Sequence, residues 1–274
     1  MSELPPGTCD THIHVYGPRD RYPLAPTSPF TPPDAPVEEY IKLMQRLGID
    51  RVIVVQPSAY GKDNSCVLDT IAGLGPRARG VAVIDLDTSD TEIQTLTRAG
   101  VCGVRFHMLP GGVLPWDILE DMAARVHNFG WHVQLQLDGR DLPQYESMLH
   151  RLPGNLVIDH TGKFFEPVPT HHPGFQSLLR LVDSGRVWVK LAAPYETSKT
   201  GAPGYDDVGV LAKALVAAAP ERMVWATNWP HPSAQANPPD DMVLRNTLLD
   251  WMGDDKTRHQ ILVANPTGLY GFAD

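Results

Sequence analysis

The sequence predicts a (β/α)8 barrel, distorted, with a short extra helix at its C-terminal end. Eight short apolar runs, most of them rich in β-branched residues, recur along the chain, and amphipathic stretches of helical length separate them. Strand–helix alternation repeated this often implies a parallel sheet, because each parallel pair needs a crossover. Eight such strands in roughly 220 residues fit a closed barrel better than an open sheet. The first run is TCDTHIHVY, residues 8–16. The others span residues 51–56, 80–84, 101–106, 131–137, 155–159, 186–191 and 222–226. Helical patterns include residues 37–47, 116–129, 175–184, 208–218 and 242–251. The one long irregular stretch, residues 22–36 (YPLAPTSPFTPPDAP), follows the first strand and should lie over the C-terminal mouth. It reads as a surface loop, a lid or a subunit contact. No low-complexity linker interrupts the pattern, so residues 1–274 are expected to form a single domain.

Composition narrows the function. The 274 residues carry 23 Lys and Arg against 32 Asp and Glu, a net charge of −9 with no basic cluster to offset it. That balance argues against a nucleic-acid or anionic-membrane surface. Proline and glycine, 26 and 23 residues, make up about 18% of the chain against roughly 12% on average. They are dispersed as punctuation, which reads as tight connections and not disorder. Cys9, Cys66 and Cys102 are odd in number and widely spaced, giving neither a disulfide framework nor a CxxC pair. The start of the chain lacks a basic and then apolar leader, and no apolar run approaches a membrane span. A cytoplasmic protein is expected, and self-association into a homo-oligomer is left open.

Barrel active sites form at the C-terminal ends of the strands, and unusual polar residues collect there. His12 and His14, two residues apart on strand one, point to one side, here inward. Ser58 and Tyr60 follow strand two; Arg105 and His107 end strand four; Gln134 and Gln136 share a face of strand five. Asp159 and His160 end strand six, with Lys163 just beyond. Lys190 and then Tyr195 lie at the end of strand seven, and Asn228 and His231 follow strand eight. A lone histidine at a strand end is commonly a satisfied rim residue. Two inward histidines on strand one with a third on strand six need partners or a purpose. Arg105 offers the planar fork that suits a substrate carboxylate. Ser58, Tyr60, Gln136, Lys163 and Tyr195 are candidates for binding hydroxyls or a second carboxylate.

The segments DTHIHVYGP, GVRFHMLPGG, VIDHTGK and WATNWPHP resemble the amidohydrolase superfamily, and within it the lactonase branch of pyrone-dicarboxylate lactonases and galactarolactone isomerases. The resemblance runs from about Thr8 to about Phe272. DNSCVLD, HTGKFF, PYETS and TNWPH lie nearer the isomerases. In the superfamily's general pattern, HxH on strand one, histidines on strands five and six and an Asp on strand eight hold metal. This chain departs at two places, with Gln134 and Gln136 on strand five and Asn228 on strand eight. Amides substitute poorly for imidazole and carboxylate around zinc. The resemblance therefore implies metal-independent chemistry without a cofactor; the alternative is one zinc or other divalent ion on His12, His14 and His160.

Asn228 bears on the reaction. An amide oxygen is not a base at neutral pH, so water activation by a strand-eight carboxylate, as the family implies for hydrolysis, is missing. Intramolecular transesterification needs no external water, because the attacking hydroxyl is held on the substrate. The resemblance implies a carboxylated sugar-acid lactone as substrate, an aldarate 1,5-lactone converted to the 1,4-lactone. His12, His14 and His160 would polarise its carbonyl, and one of them or His231 would move the proton. The alternative is a lactone hydrolase of the pyrone-dicarboxylate or aldarolactone type, with Asn228 an engineered replacement of Asp.

Overall fold

The computed structural model describes residues 3–28 and 30–273, so Pro29 of the irregular stretch lies outside the described residues. The eight strands are β1 Cys9–Ile13, β2 Arg51–Val55, β3 Ala78–Ala82, β4 Val101–His107, β5 His132–Gln136, β6 Leu156–Ile158, β7 Val187–Leu191 and β8 Met223–Trp225. They pair in chain order, every pair parallel. Register shifts between β1 and β2 and between β3 and β4 supply the expected distortion. Because helices cover the outside and side chains fill the inside, the strands are buried on both faces, as their near-continuous apolar runs require.

The barrel helices are α1 Val37–Leu47, α2 Ser65–Leu74, α3 Asp90–Arg98, α4 Leu119–His127, α5 Leu142–Arg151, α6 Pro173–Asp183, α7 Asp206–Ala218 and α8 Asp241–Met252. Two differences from the sequence reading have local causes. The third strand starts two residues earlier than its apolar run and stops before Val83, whose N–H turns away to Asn64 Oδ1 at 3.0 Å. The pattern over 116–129 opens as a single 3-10 turn, Trp116–Ile118, and only then becomes α4. The extra C-terminal helix is two short ones, α9 Asp255–His259 and α10 Asn265–Tyr270, joined by a π-helical turn, Gln260–Ala264. They carry Tyr270 and Phe272 under the N-terminal end of the barrel, against Cys9, Ile53, Val55 and Val81. Arg51 and Arg79 stack over the Phe272 ring at 4.9 and 4.7 Å. No helix among the described residues is long and apolar enough to cross a membrane.

The seam between the first and last strands positions the opposite end. The Asn228 N–H donates to His12 O at 3.0 Å and the His14 N–H to Trp229 O at 2.8 Å. Asp10, fully buried, accepts from the Thr227 N–H (3.0 Å), the Thr227 hydroxyl (2.5 Å) and the Tyr40 hydroxyl (2.9 Å). The first Asp of DTHIH is thus a clamp that holds the segment after β8 against β1. It fixes Asn228 beside the histidine pair.

Candidate active site

A cavity of about 350 Å³ opens at the C-terminal ends of the strands, the small end of the range for ligand sites. Of the residues expected from the sequence, His14, Ser58, Arg105, His107, Gln136, His160, Lys163 and Asn228 line it. Phe30, from the irregular stretch, lines it too, so that stretch does lie at the mouth.

Four expected residues stand behind the wall. His12 is fully buried beneath His14 and His160. The 3-10 turn Ser58–Tyr60 sends Ser58 inward and Tyr60 away, where its hydroxyl accepts from the Gly17 N–H at 3.1 Å. Tyr195 and His231 form a support for Asn228. His231 Nε2 lies 3.0 Å from the Asp241 carboxylate, so that nitrogen carries the proton and Nδ1 accepts from the Tyr195 hydroxyl at 3.0 Å. The Tyr195 oxygen in turn accepts from Asn228 Nδ2 at 2.8 Å. The chain fixes the amide's orientation and leaves Oδ1 as its remaining acceptor. His231 therefore braces Asn228 and does not face the cavity as the expected proton shuttle would.

Local backbone strain gathers here. His160, Thr161, Gly162 and Lys163 have φ of 52°, 56°, 83° and 46°, a left-handed run after β6. Ala193, Asn228 and His231, after β7 and β8, have φ of 48°, 61° and 60°. Asn tolerates this region through its short polar side chain, but a β-branched Thr does so only under constraint. Such strain clusters where surrounding structure must hold a side chain in one place. At residues 160–163 it lets both His160 and Lys163 reach the cavity.

The hydrogen bonds define the imidazole tautomers. His14 Nδ1 lies 2.8 Å from Val55 O, so it carries the proton and Nε2 is an acceptor. His12 Nε2, 3.2 Å from His14 Nε2, must donate to it. His12 Nδ1 faces Asp159 Oδ1 at 3.3 Å and, at 3.4 Å each, Lys190 Nζ and Gln134 Nε2. Lys190, fully buried, also donates to Thr11 O and Gln134 Oε1, each at 2.7 Å. Burial, with Lys190 and the other histidines adding to it, lowers the His12 pKa well below the usual imidazole range. Burial, with Arg105 adding to it, takes His14 down to about 3, and burial likewise lowers His160 far below its usual range. His107 falls to about 4 for the same first reason. Burial pushes the Asp159 carboxyl up, but Lys190, His160 and Arg105 more than offset it, and it stays ionised.

Arg105, 6% exposed, donates to Gln56 O at 2.9 Å and Gln136 Oε1 at 3.0 Å. Its Nε is buried without a hydrogen-bond partner among the described residues. A guanidinium in a cavity wall with no carboxylate partner among the described residues suits a substrate carboxylate. Lys163, by contrast, pairs with Glu196, whose other oxygen accepts from the Ser233 hydroxyl at 2.5 Å. Glu196, Ser233 and Tyr16 also line the cavity and were not singled out from the sequence. A carboxylate a few residues past a barrel strand was the signal available for Glu196.

Donor atoms of His12, Asp159 and His160 lie within 4.8 Å of one another, close enough to share a metal ion. Their surroundings do not suit one. Asp159 is the carboxylate of the set and lies 3.7 Å from the Lys190 ammonium, while it also accepts from Gln134 Nε2 at 3.1 Å. His12 donates one ring nitrogen to His14 and turns the other to Asp159, Lys190 and Gln134. A divalent ion would add its charge beside Lys190 and Arg105 with one carboxylate to offset them and would draw His12 from its hydrogen bonds, although Asp159 Oδ1 and His160 Nδ1 have no hydrogen-bond partner among the described residues.

The depressed histidines make stability depend on pH. A folded-state pKa below the unfolded value gives stability that is present above about pH 6.5 and lost as pH falls toward the folded pKa. For His14, whose folded pKa is about 3, the loss amounts to roughly 2 to 3 kcal/mol by pH 4.5. The melting temperature should therefore fall between pH 7 and pH 4.5, and fall less steeply in His14→Gln, which keeps an acceptor for His12. Parallel curves for the two proteins would show that His14 is not held neutral by the fold.

A parallel eight-stranded barrel with a histidine cluster at its C-terminal mouth is an amidohydrolase arrangement, and the chain belongs to the amidohydrolase family, whose profile matches residues 9–272. It is 41% identical over 271 residues to the D-galactarolactone isomerase of Agrobacterium fabrum, covering 97% of this chain and 92% of that protein. It is 34% identical to a 2-pyrone-4,6-dicarboxylate hydrolase of Comamonas testosteroni, covering 98% and 91%. A crystal structure of an apo protein from Agrobacterium tumefaciens superposes with a TM-score of 0.93 at 40% identity, covering 99% of this chain and 98% of the other.

Proposed function

We propose that the protein isomerises an aldarate lactone, 1,5 to 1,4, by metal-independent intramolecular transesterification in this cavity. One observation carries the reading: the residue held at the mouth after β8 is Asn228, whose amide is tied to Tyr195 and cannot act as a base toward water. The similarity to a D-galactarolactone isomerase supports it. Arg105 takes the lactone's carboxylate. A substrate hydroxyl, its proton accepted in a hydrogen bond by Asn228 Oδ1, attacks the lactone carbonyl. The new C–O bond forms, the carbonyl oxygen becomes an oxyanion, and the N–H of the neutral His160 ring, which lines the cavity, stabilises it. The original ring C–O bond then breaks, and the leaving oxygen takes up the proton that the attacking hydroxyl gave up. No water is consumed. Gln136 and Ser58 offer hydrogen bonds to the remaining hydroxyls.

The test is incubation with aldaric 1,5-lactones in ¹⁸O-water with NMR and mass spectrometry, before and after removal of adventitious metal. The expected product is a new lactone of unchanged mass, formed faster than the spontaneous background at an undiminished rate after chelation. Rapid formation of ¹⁸O-labelled open acid would overturn isomerisation. Loss of the activity on chelation, restored by zinc, would overturn metal independence.

A further inference from the structure

Three charged side chains line the cavity among the described residues: Arg105, Lys163 and Glu196. They are not equivalent. No carboxylate among the described residues forms an ion pair with Arg105, whose Nε also lacks a hydrogen-bond partner. Lys163 and Glu196 are 8% and 7% exposed and bonded to each other, with the Phe165 ring 5.8 Å from the ammonium. An ion pair this enclosed holds its partners firmly, since removing either leaves the other buried and uncompensated. Separate backbone devices bring the two together. The left-handed run at residues 160–163 presents Lys163, and the 3-10 turn Pro194–Glu196, entered through Ala193 in a left-handed conformation, presents Glu196.

We propose that Glu196 sets specificity by occupying Lys163, so that the cavity receives a ligand with one carboxylate, at Arg105, and refuses a second. An incoming second carboxylate would have to displace Glu196 from Lys163 and lie beside a buried like charge, which costs more than a new ion pair returns. A hydroxyl in the same place meets no such penalty: it can donate to Glu196, as Ser233 already does at 2.5 Å. The pair thus selects a polyhydroxylated monoacid over a diacid of the same length. As a statement about lactones this rests on the proposed function; as a statement about the cavity's charge it does not.

The test is calorimetric binding of galactonate and galactarate, which differ in one terminal group, CH₂OH against carboxylate. The unmodified protein should bind galactonate at least as tightly as galactarate. In Glu196→Gln, which frees Lys163 at nearly constant volume, affinity for galactarate should rise relative to galactonate by about tenfold or more, the return from one charge-assisted contact. Adding Lys163→Met to that variant should abolish the gain. A tenfold preference of the unmodified protein for galactarate would overturn the proposal even if Glu196→Gln does not fold. An unchanged ratio in a folded Glu196→Gln would overturn it as well. Binding is read without turnover, so failure of the isomerase reading would appear in the labelled-water experiment and leave this ratio interpretable.

Discussion

Arg105→Met is expected to lower kcat/KM for a carboxylated lactone by about 10²- to 10³-fold, mostly through KM. The guanidinium lies in the cavity wall, held by Gln56 O and Gln136 Oε1, with no carboxylate partner among the described residues. Truncating one partner of a buried, hydrogen-bonded charge pair costs about 2 to 5 kcal/mol, which spans the stated range. Because the carboxylate is remote from the carbonyl that reacts, its contacts hold ground state and transition state alike, and that is why KM should carry the loss. Arg105→Lys should recover part of it, keeping the charge without the planar fork. Initial-rate kinetics on a carboxylated lactone and on an uncharged lactone of the same ring size decide the matter. The uncharged substrate should respond little; equal losses on both would show that Arg105 supports the fold of the site and binds no carboxylate.

The parts of this site that depend on local periodicity could be read from the chain, and the parts that depend on distant pairing could not. Side chains two apart on a strand share a face, so DTHIH announced His12 and His14 together, and their Nε2 atoms do meet at 3.2 Å. The same rule puts the first Asp of that motif, Asp10, on the same face; yet it serves as the clamp for Tyr40 and Thr227, and Thr227 is 217 residues away. His231 follows Asn228 closely, which suggested a shared role at the cavity. Its left-handed backbone instead turns it behind Tyr195 to meet Asp241. Lys163 read as a candidate for a second carboxylate because its partner lies 33 residues on, after the next strand. Ser58 and Tyr60 read alike as cavity residues because they follow β2 together, and the 3-10 turn there parts them. The barrel itself was legible for the opposite reason. Its alternation repeats eight times, so misplacing one strand by two residues, as happened at β3, does not alter the topology.

Asn228→Asp should create lactone hydrolysis where the unmodified protein has little, a gain of about 10²-fold or more, the scale of a positioned general base. The amide now donates Nδ2–H to the Tyr195 oxygen while the Tyr195 hydroxyl donates to His231 Nδ1. A carboxylate cannot donate, so in the variant the Tyr195 hydroxyl has a choice of acceptors. If it turns to the introduced carboxylate, His231 Nδ1 loses its donor. The second carboxylate oxygen would stay at the cavity wall with Arg105 and the neutral imidazoles, able to accept a proton from water. Since only the ionised form is a base, the new activity should rise with pH through the pKa of the introduced carboxyl and level off above it. Isomerisation by the unmodified protein should show no such limb, because an amide does not titrate. Acid release followed at constant pH, with ¹⁸O-water to mark the bond formed, reads the two reactions separately in one sample. Isomerisation should persist at a reduced share, since the tethered hydroxyl keeps its advantage of proximity and now competes with an activated water. A variant that folds, gains no hydrolysis and isomerises as before would show that the residue after β8 does not touch the reacting atoms. The proton would then have to be handled by the histidines alone.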